Sequence, residues 1–198
     1  MPVNAPNALT LLRLALIPVF VVVYYLPVSW ADAGSAAFFL LAAVTDWLDG
    51  YLARKLNQSS EFGAFLDPVV DKLMVAAALI LIVANPALRP ELLNGPVFAI
   101  MVLVIIGREI AVSALREWMA EVGKRKRVAV SYVGKFKTTA QMAAILLMLY
   151  KNPIFGVPAF RVGEILLYVA AVLTLWSMGV YLRAAWPILM RGQQSSGP

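Results

Sequence analysis

Long apolar runs separated by short polar breaks make up almost the whole chain. The runs cover residues 11–26, 36–55, 61–84, 96–119, 134–150 and 162–182. Each is close to the ~20 residues that a helix needs to cross the hydrocarbon core of a bilayer. The pattern therefore predicts six transmembrane helices. Asn7 suits the N-cap of the first helix, and Ser60 with Glu61 suits the start of the third. Pro18 should kink the first helix. Pro68 removes a backbone hydrogen bond from the third and should bend it. The breaks at 26–35, 85–95 and 151–161 read as loops on one side. The link at 55–61 is short and polar, so helices two and three should run antiparallel as neighbours. No internal repeat is visible. The chain reads as one domain over residues 1–191 with a disordered tail at 192–198.

Composition agrees with this pattern. The chain is 62% hydrophobic with a mean hydropathy of +0.80, whereas soluble domains are about 45–50% apolar. The fold class expected is an all-α polytopic membrane protein. The first run lacks Lys or Arg ahead of it and a small-residue cleavage site after it, so it reads as a retained span. No Arg- and Ser-rich transit segment is present, which fits a bacterial inner membrane. The net charge of +6 is unevenly placed. Arg54, Lys55, Arg116, Lys124, Arg125, Lys126, Arg127, Lys135, Lys137, Arg183 and Arg191 fall on one side, against Arg89, Lys151 and Arg161 on the other. By the positive-inside rule both termini are cytoplasmic. The basic run at 124–127 then meets anionic lipid headgroups, and the charge calls for no nucleic acid. Trp186 beside Arg183 and Arg191 suits the inner interface. Cys and His are both absent, which excludes disulfides, thiolates and an imidazole base. A carboxylate is the natural substitute base.

One stretch breaks the apolar pattern on the cytoplasmic side. It reads Asp46-x2-Asp49-Gly50-x2-Ala53-Arg54-x8-Gly63-x3-Asp67-x3-Asp71. Helical periodicity puts Asp46, Asp49 and Ala53 on one face, and Gly63, Asp67 and Asp71 on another. Four carboxylates converging on one cavity repel unless a cation lies among them. Oxygen donors alone select a hard ion such as Mg²⁺ or Mn²⁺. Gly50 and Gly63 weaken their helices, and with Ala53 they clear space for a bulky ligand. Arg54 can fork a phosphate. A nucleotide diphosphate on two metals fits all of this. A helix pair with buried salt bridges, or the ion site of a divalent-cation transporter, would also use four carboxylates. Transporters of that kind often carry paired repeats, and these acids lie in one helix pair only.

This stretch resembles the signature of the CDP-alcohol phosphatidyltransferases at Asp46, Asp49, Gly50, Ala53, Arg54, Gly63, Asp67 and Asp71. The resemblance implies two divalent ions, Mg²⁺ or Mn²⁺, held by the Asp residues. It implies CDP-diacylglycerol held by Asp49, Gly50, Ala53, Arg54 and Gly63, with Asp71 as catalytic base, metal ligand or both. Lys72 and the metals would tune Asp71. It also implies a homodimer.

The same membrane half carries Arg108, Arg116, Lys135 and Lys137, four cations that point to an anionic acceptor. The plainer reading has Lys135 and Lys137 anchoring the fifth helix at the interface. Three further patterns are present: Asn7-x2-Thr10-x2-Arg13, Gly107-Arg108-Glu109-x2-Val112-Ser113-x2-Arg116-Glu117 and Gly134-Lys135-x-Lys137-Thr138-x2-Gln141. They resemble the family branch whose acceptor is glycerol 3-phosphate. That implies acceptor-phosphate binding by Arg108, Arg116, Lys135 and Lys137, and adds Thr10 and Arg13 as further site residues. Arg13 can equally be read as a snorkelling interface anchor. Sibling enzymes take inositol phosphate, serine or phosphatidylglycerol, and the Arg108, Arg116 and Lys135 set argues against zwitterionic serine.

Overall fold

The computed structural model describes residues 5–56, 61–121 and 132–192. They form α1 (Ala5–Tyr25), α2 (Ala31–Leu56), α3 (Glu61–Ala84), α4 (Gly95–Glu121), α5 (Tyr132–Tyr150) and α6 (Ala159–Gly192), with a short 3-10 helix at Pro86–Glu91. Among the described residues the extended pairing is a single bridge between Ile154 and Val157. The fold is all-α.

Four helices are long and apolar enough to cross a membrane: α1, α2, α4 and α6. α3 carries Asp67, Asp71 and Lys72 in its first half, and α5 opens with Lys135 and Lys137. Large apolar side chains such as Val22, Leu40, Trp47, Phe65, Leu103 and Val172 face outward along the helices. A water-soluble surface rarely exposes so much contiguous apolar area. The chain is a membrane protein.

Most helix limits lie near those expected, and the differences have physical causes. α1 starts before Asn7, so Asn7 is a buried helical residue and not a cap. α2 begins at Ala31, which shortens the outer loop. α6 runs on past Leu182 to Gly192. An apolar run ends where polarity begins, but a helix need not, and Arg183 and Trp186 continue it. Ser60, the basic run at 124–127 and the tail from 193 lie outside the described residues.

Among the described residues α2 and α3 touch over a short length, and α1 packs more extensively against both. α5 and α6 form the closest pair. A Cβ on Gly163 would meet the Ala144 carbonyl oxygen at 2.7 Å and Met148 Cγ at 2.7 Å, so glycine permits that approach. The apolar core is built from Phe20, Phe39, Leu79, Ile82, Phe98, Ile145 and their neighbours.

Polar links close the end of the bundle where α1, α3 and α5 finish. Tyr24 donates to the Leu81 carbonyl at 3.2 Å, and Lys151 pairs with Asp32 at 2.5 Å. The fully buried carboxylate of Glu164 accepts from the Leu93 backbone N–H (2.9 Å), the Tyr168 hydroxyl (2.8 Å) and Arg161 (3.2 Å). The other end is left to carry the chemistry.

Candidate active site

Three helices each bring a pair of polar residues, one turn apart, to the opposite end of the bundle. α1 brings Thr10 and Arg13, α2 brings Asp46 and Asp49, and α3 brings Asp67 and Asp71. Arg13 donates to Asp46 Oδ1 and to Asp49 Oδ2, both at 2.5 Å, and lies 3.6 Å from Asp67 Oδ1. Thr10 donates a short hydrogen bond to Asp67 Oδ1. Arg13 and Asp49 are buried, whereas Asp46 and Asp67 are half-exposed. Asp71 is exposed and lines a small cavity with Arg13, Val70 and Met142.

Of the four carboxylates expected to converge, Asp46, Asp49 and Asp67 meet around Arg13, and Asp71 lines the cavity beside it. A protein cation stands at the centre of the three. Arg13 is no interface anchor, because its guanidinium is 2% exposed and bonded to carboxylates. Gly63 is buried near the start of α3. The side chains at Gly50, Ala53, Arg54 and Lys135 lie outside the described residues, although all four positions are helical.

The donor set suits a hard divalent cation. It consists of oxygens, and three carboxylates lie within reach of a single guanidinium. One positive charge against three negative ones leaves a surplus that is costly at membrane depth. Among the described residues no three carboxylates form a ready-made metal cage. The guanidinium lies between their oxygens, so cation binding would require it to move.

A second cluster lies on α4, α5 and α6. Arg108 donates to Glu109 Oε1 at 2.9 Å and to Ser177 Oγ at 2.8 Å, and its guanidinium lies 5.9 Å from the centre of the Tyr181 ring. Lys137 donates to the same Glu109 oxygen at 2.7 Å. Lys137 is 1% exposed, so it does not serve as an interface anchor. Two cations share one carboxylate, which leaves a positive surplus within this group. Arg116 is exposed on α4 and stands apart from these contacts. Ser177 and Tyr181 were not singled out from sequence. The one signal for them is a polar pair spaced i, i+4 in the apolar middle of α6.

α3 and α4 enclose a cavity of about 330 Å³ lined by Pro68, Lys72, Glu109, Ile110, Ser113 and Glu117. Lys72 donates to the Pro68 carbonyl (2.9 Å) and to Ser113 Oγ (2.7 Å). Its ammonium thus also joins α3 to α4.

The family model for CDP-alcohol phosphatidyltransferase matches residues 3–176. The chain belongs to the CDP-alcohol phosphatidyltransferase family. The match takes in both polar clusters up to Thr174 and stops just short of Ser177 and Tyr181. Named relatives are similar over nearly the full length. Those from Salmonella typhimurium and Escherichia coli K12 are 53% and 52% identical over 185 residues, covering 93% of this chain and 96% of theirs. A Shigella flexneri relative is 52% identical over the same extent. All three are named CDP-diacylglycerol–glycerol-3-phosphate 3-phosphatidyltransferase.

Proposed function

We propose that this chain transfers the phosphatidyl group of CDP-diacylglycerol to glycerol 3-phosphate, giving phosphatidylglycerophosphate and CMP. The observation that carries the reading is the convergence of Asp46, Asp49 and Asp67 on Arg13 and Thr10, in a chain half identical to relatives of that name. The family generally depends on divalent metals. Asp46, Asp49, Asp67 and Asp71 would hold two such ions, Mg²⁺ or Mn²⁺, whose positive charge would offset that of the donor diphosphate. Following the family signature, Asp49, Gly50, Ala53, Arg54 and Gly63 would bind CDP-diacylglycerol.

The residues divide the work as follows. A free hydroxyl of glycerol 3-phosphate gives its proton to Asp71 as its oxygen bonds to the phosphorus bearing diacylglycerol. The bond from that phosphorus to the bridging oxygen breaks, and CMP leaves with the bond electrons. Exposure of Asp71 beside a cavity favours it over buried Asp49 as the base. Arg108 and Lys137, with Arg116 and Lys135, bind the acceptor phosphate. The shared carboxylate of Glu109 keeps the two buried cations in place and leaves charge for an anion.

We further read α3 and α5 as spans, giving six in all, with both termini and the site on the cytoplasmic face of a bacterial inner membrane. Residues 1–191 act as one domain, and the protein works as a homodimer. Purified protein with CDP-diacylglycerol should release CMP with glycerol 3-phosphate, and much less with inositol phosphate, serine or glycerol. Equal turnover with glycerol would remove the acceptor assignment. No CMP with any acceptor would remove the enzyme.

A further inference from the structure

Arg13 is the buried cation of the acid cluster, yet the family signature does not contain it. Its two terminal nitrogens bond Asp46 Oδ1 and Asp49 Oδ2 at 2.5 Å, and Asp67 Oδ1 lies 3.6 Å away. A Mg²⁺-sized ion needs carboxylate oxygens at about 2.0–2.1 Å in near-octahedral geometry. A guanidinium bonded to the same oxygens blocks that approach sterically, and its charge repels the ion. The two occupants exclude one another on these atoms.

The guanidinium of Arg13 is not fully satisfied. Its Nε is buried and has no partner among the described residues. The contacts that hold the guanidinium are all to the acids themselves. By contrast Thr10, one turn earlier on α1, grips Asp67 without adding charge. Without a cation, carboxylates this close would repel, and repulsion inside an apolar bundle would loosen α2 from α3.

We propose that Arg13 is an exchangeable counterion. It neutralises Asp46 and Asp49 until a divalent cation binds, and it gives up both contacts when one does. This rests on the metal-dependent reading above. Arg13 is then a positioning residue. It keeps the acids gathered in an open site, and it weakens cation affinity so that the ion exchanges readily.

The test is Mn²⁺ binding to the full-length protein in detergent, by calorimetry, beside thermal unfolding in EDTA. Arg13→Gln removes the charge but keeps much of the side-chain length. It should unfold at a lower temperature in EDTA, bind Mn²⁺ at least about tenfold more tightly, and gain more thermal stability from Mn²⁺ than the parent does. Arg13→Lys, which keeps a charge but cannot fork two carboxylates, should fall between the two. It also stands as the test should Arg13→Gln not fold. Equal or weaker Mn²⁺ binding by the variants, with clear binding by the parent, overturns the proposal and leaves the metal-dependent reading intact. No saturable binding by any of the proteins overturns both.

Discussion

Charges in this bundle are held in small clusters whose members differ in what they leave unmatched. Around Arg13 the surplus is negative; around Glu109 it is positive. The first suits cations and the second an anion, the two things that phosphoryl transfer to a phosphorylated alcohol must hold. Asp71→Asn should still bind CDP-diacylglycerol but lose about 10²–10⁴-fold in turnover, as expected for a general base. Donor binding by fluorescence beside CMP release separates the two effects, and lost binding with intact chemistry would reassign Asp71 to the metals. For the acceptor, burial ranks the cations. Truncating Lys137 or Arg108 removes a desolvated charge-assisted contact, worth about 1.5–3 kcal/mol, so Lys137→Met and Arg108→Gln should raise the glycerol 3-phosphate KM by roughly ten- to a hundredfold. Exposed Arg116→Ala should raise it less. Unchanged KM in both buried variants would send the acceptor elsewhere. The four acids were legible in the sequence because their spacing is helical and their surroundings apolar. The burial of Lys137 was not, since it depends on Glu109, 28 positions away, meeting it across a helix contact.

Helix identity was legible at this scale, and the extent of packing between neighbours was not. α3 occupies the expected stretch, because Glu61 opens it and Asn85 and Pro86 close it. The short link between α2 and α3 suggested direct pairing; the two touch, but α1 packs more extensively against both and supplies Thr10 and Arg13. Apolar helices in lipid lack a polar face that names their partner, so packing falls to shape and small residues. Gly163 is such a residue. Gly163→Ala forces its Cβ to within 2.7 Å of a backbone oxygen on α5. Overpacking of this kind costs about 1–3 kcal/mol, so the apparent Tm in detergent should fall by several degrees. Gly107→Ala, where a Cβ meets nothing within 4 Å, should hold the Tm or raise it. A matching loss at both sites would point to helix propensity or backbone effects and away from the α5–α6 contact.

Across the whole molecule the two ends of the bundle are built differently. One end is closed by neutral hydrogen bonds and by pairs such as Lys151 with Asp32. The other gathers the acid cluster, the Glu109 cluster and most of the described Lys and Arg side chains. The positive-inside rule would put the basic end in the cytoplasm, the orientation proposed above. The chain contains no cysteine, which makes accessibility mapping clean. Asn152 is exposed in the α5–α6 loop, and Lys55 is exposed at the far end of α2. In intact spheroplasts, Asn152→Cys should react with a membrane-impermeant maleimide, and Lys55→Cys should react only after permeabilisation. With an odd number of spans between those positions the two must differ. If only one of α3 and α5 crossed, the pair would label together, and if the orientation were reversed, Lys55→Cys would label from outside. CMP release by both variants would show that the labelled molecules retain the native arrangement. The pattern of labelling then decides between six spans with a cytoplasmic site and every topology that places the acids outside.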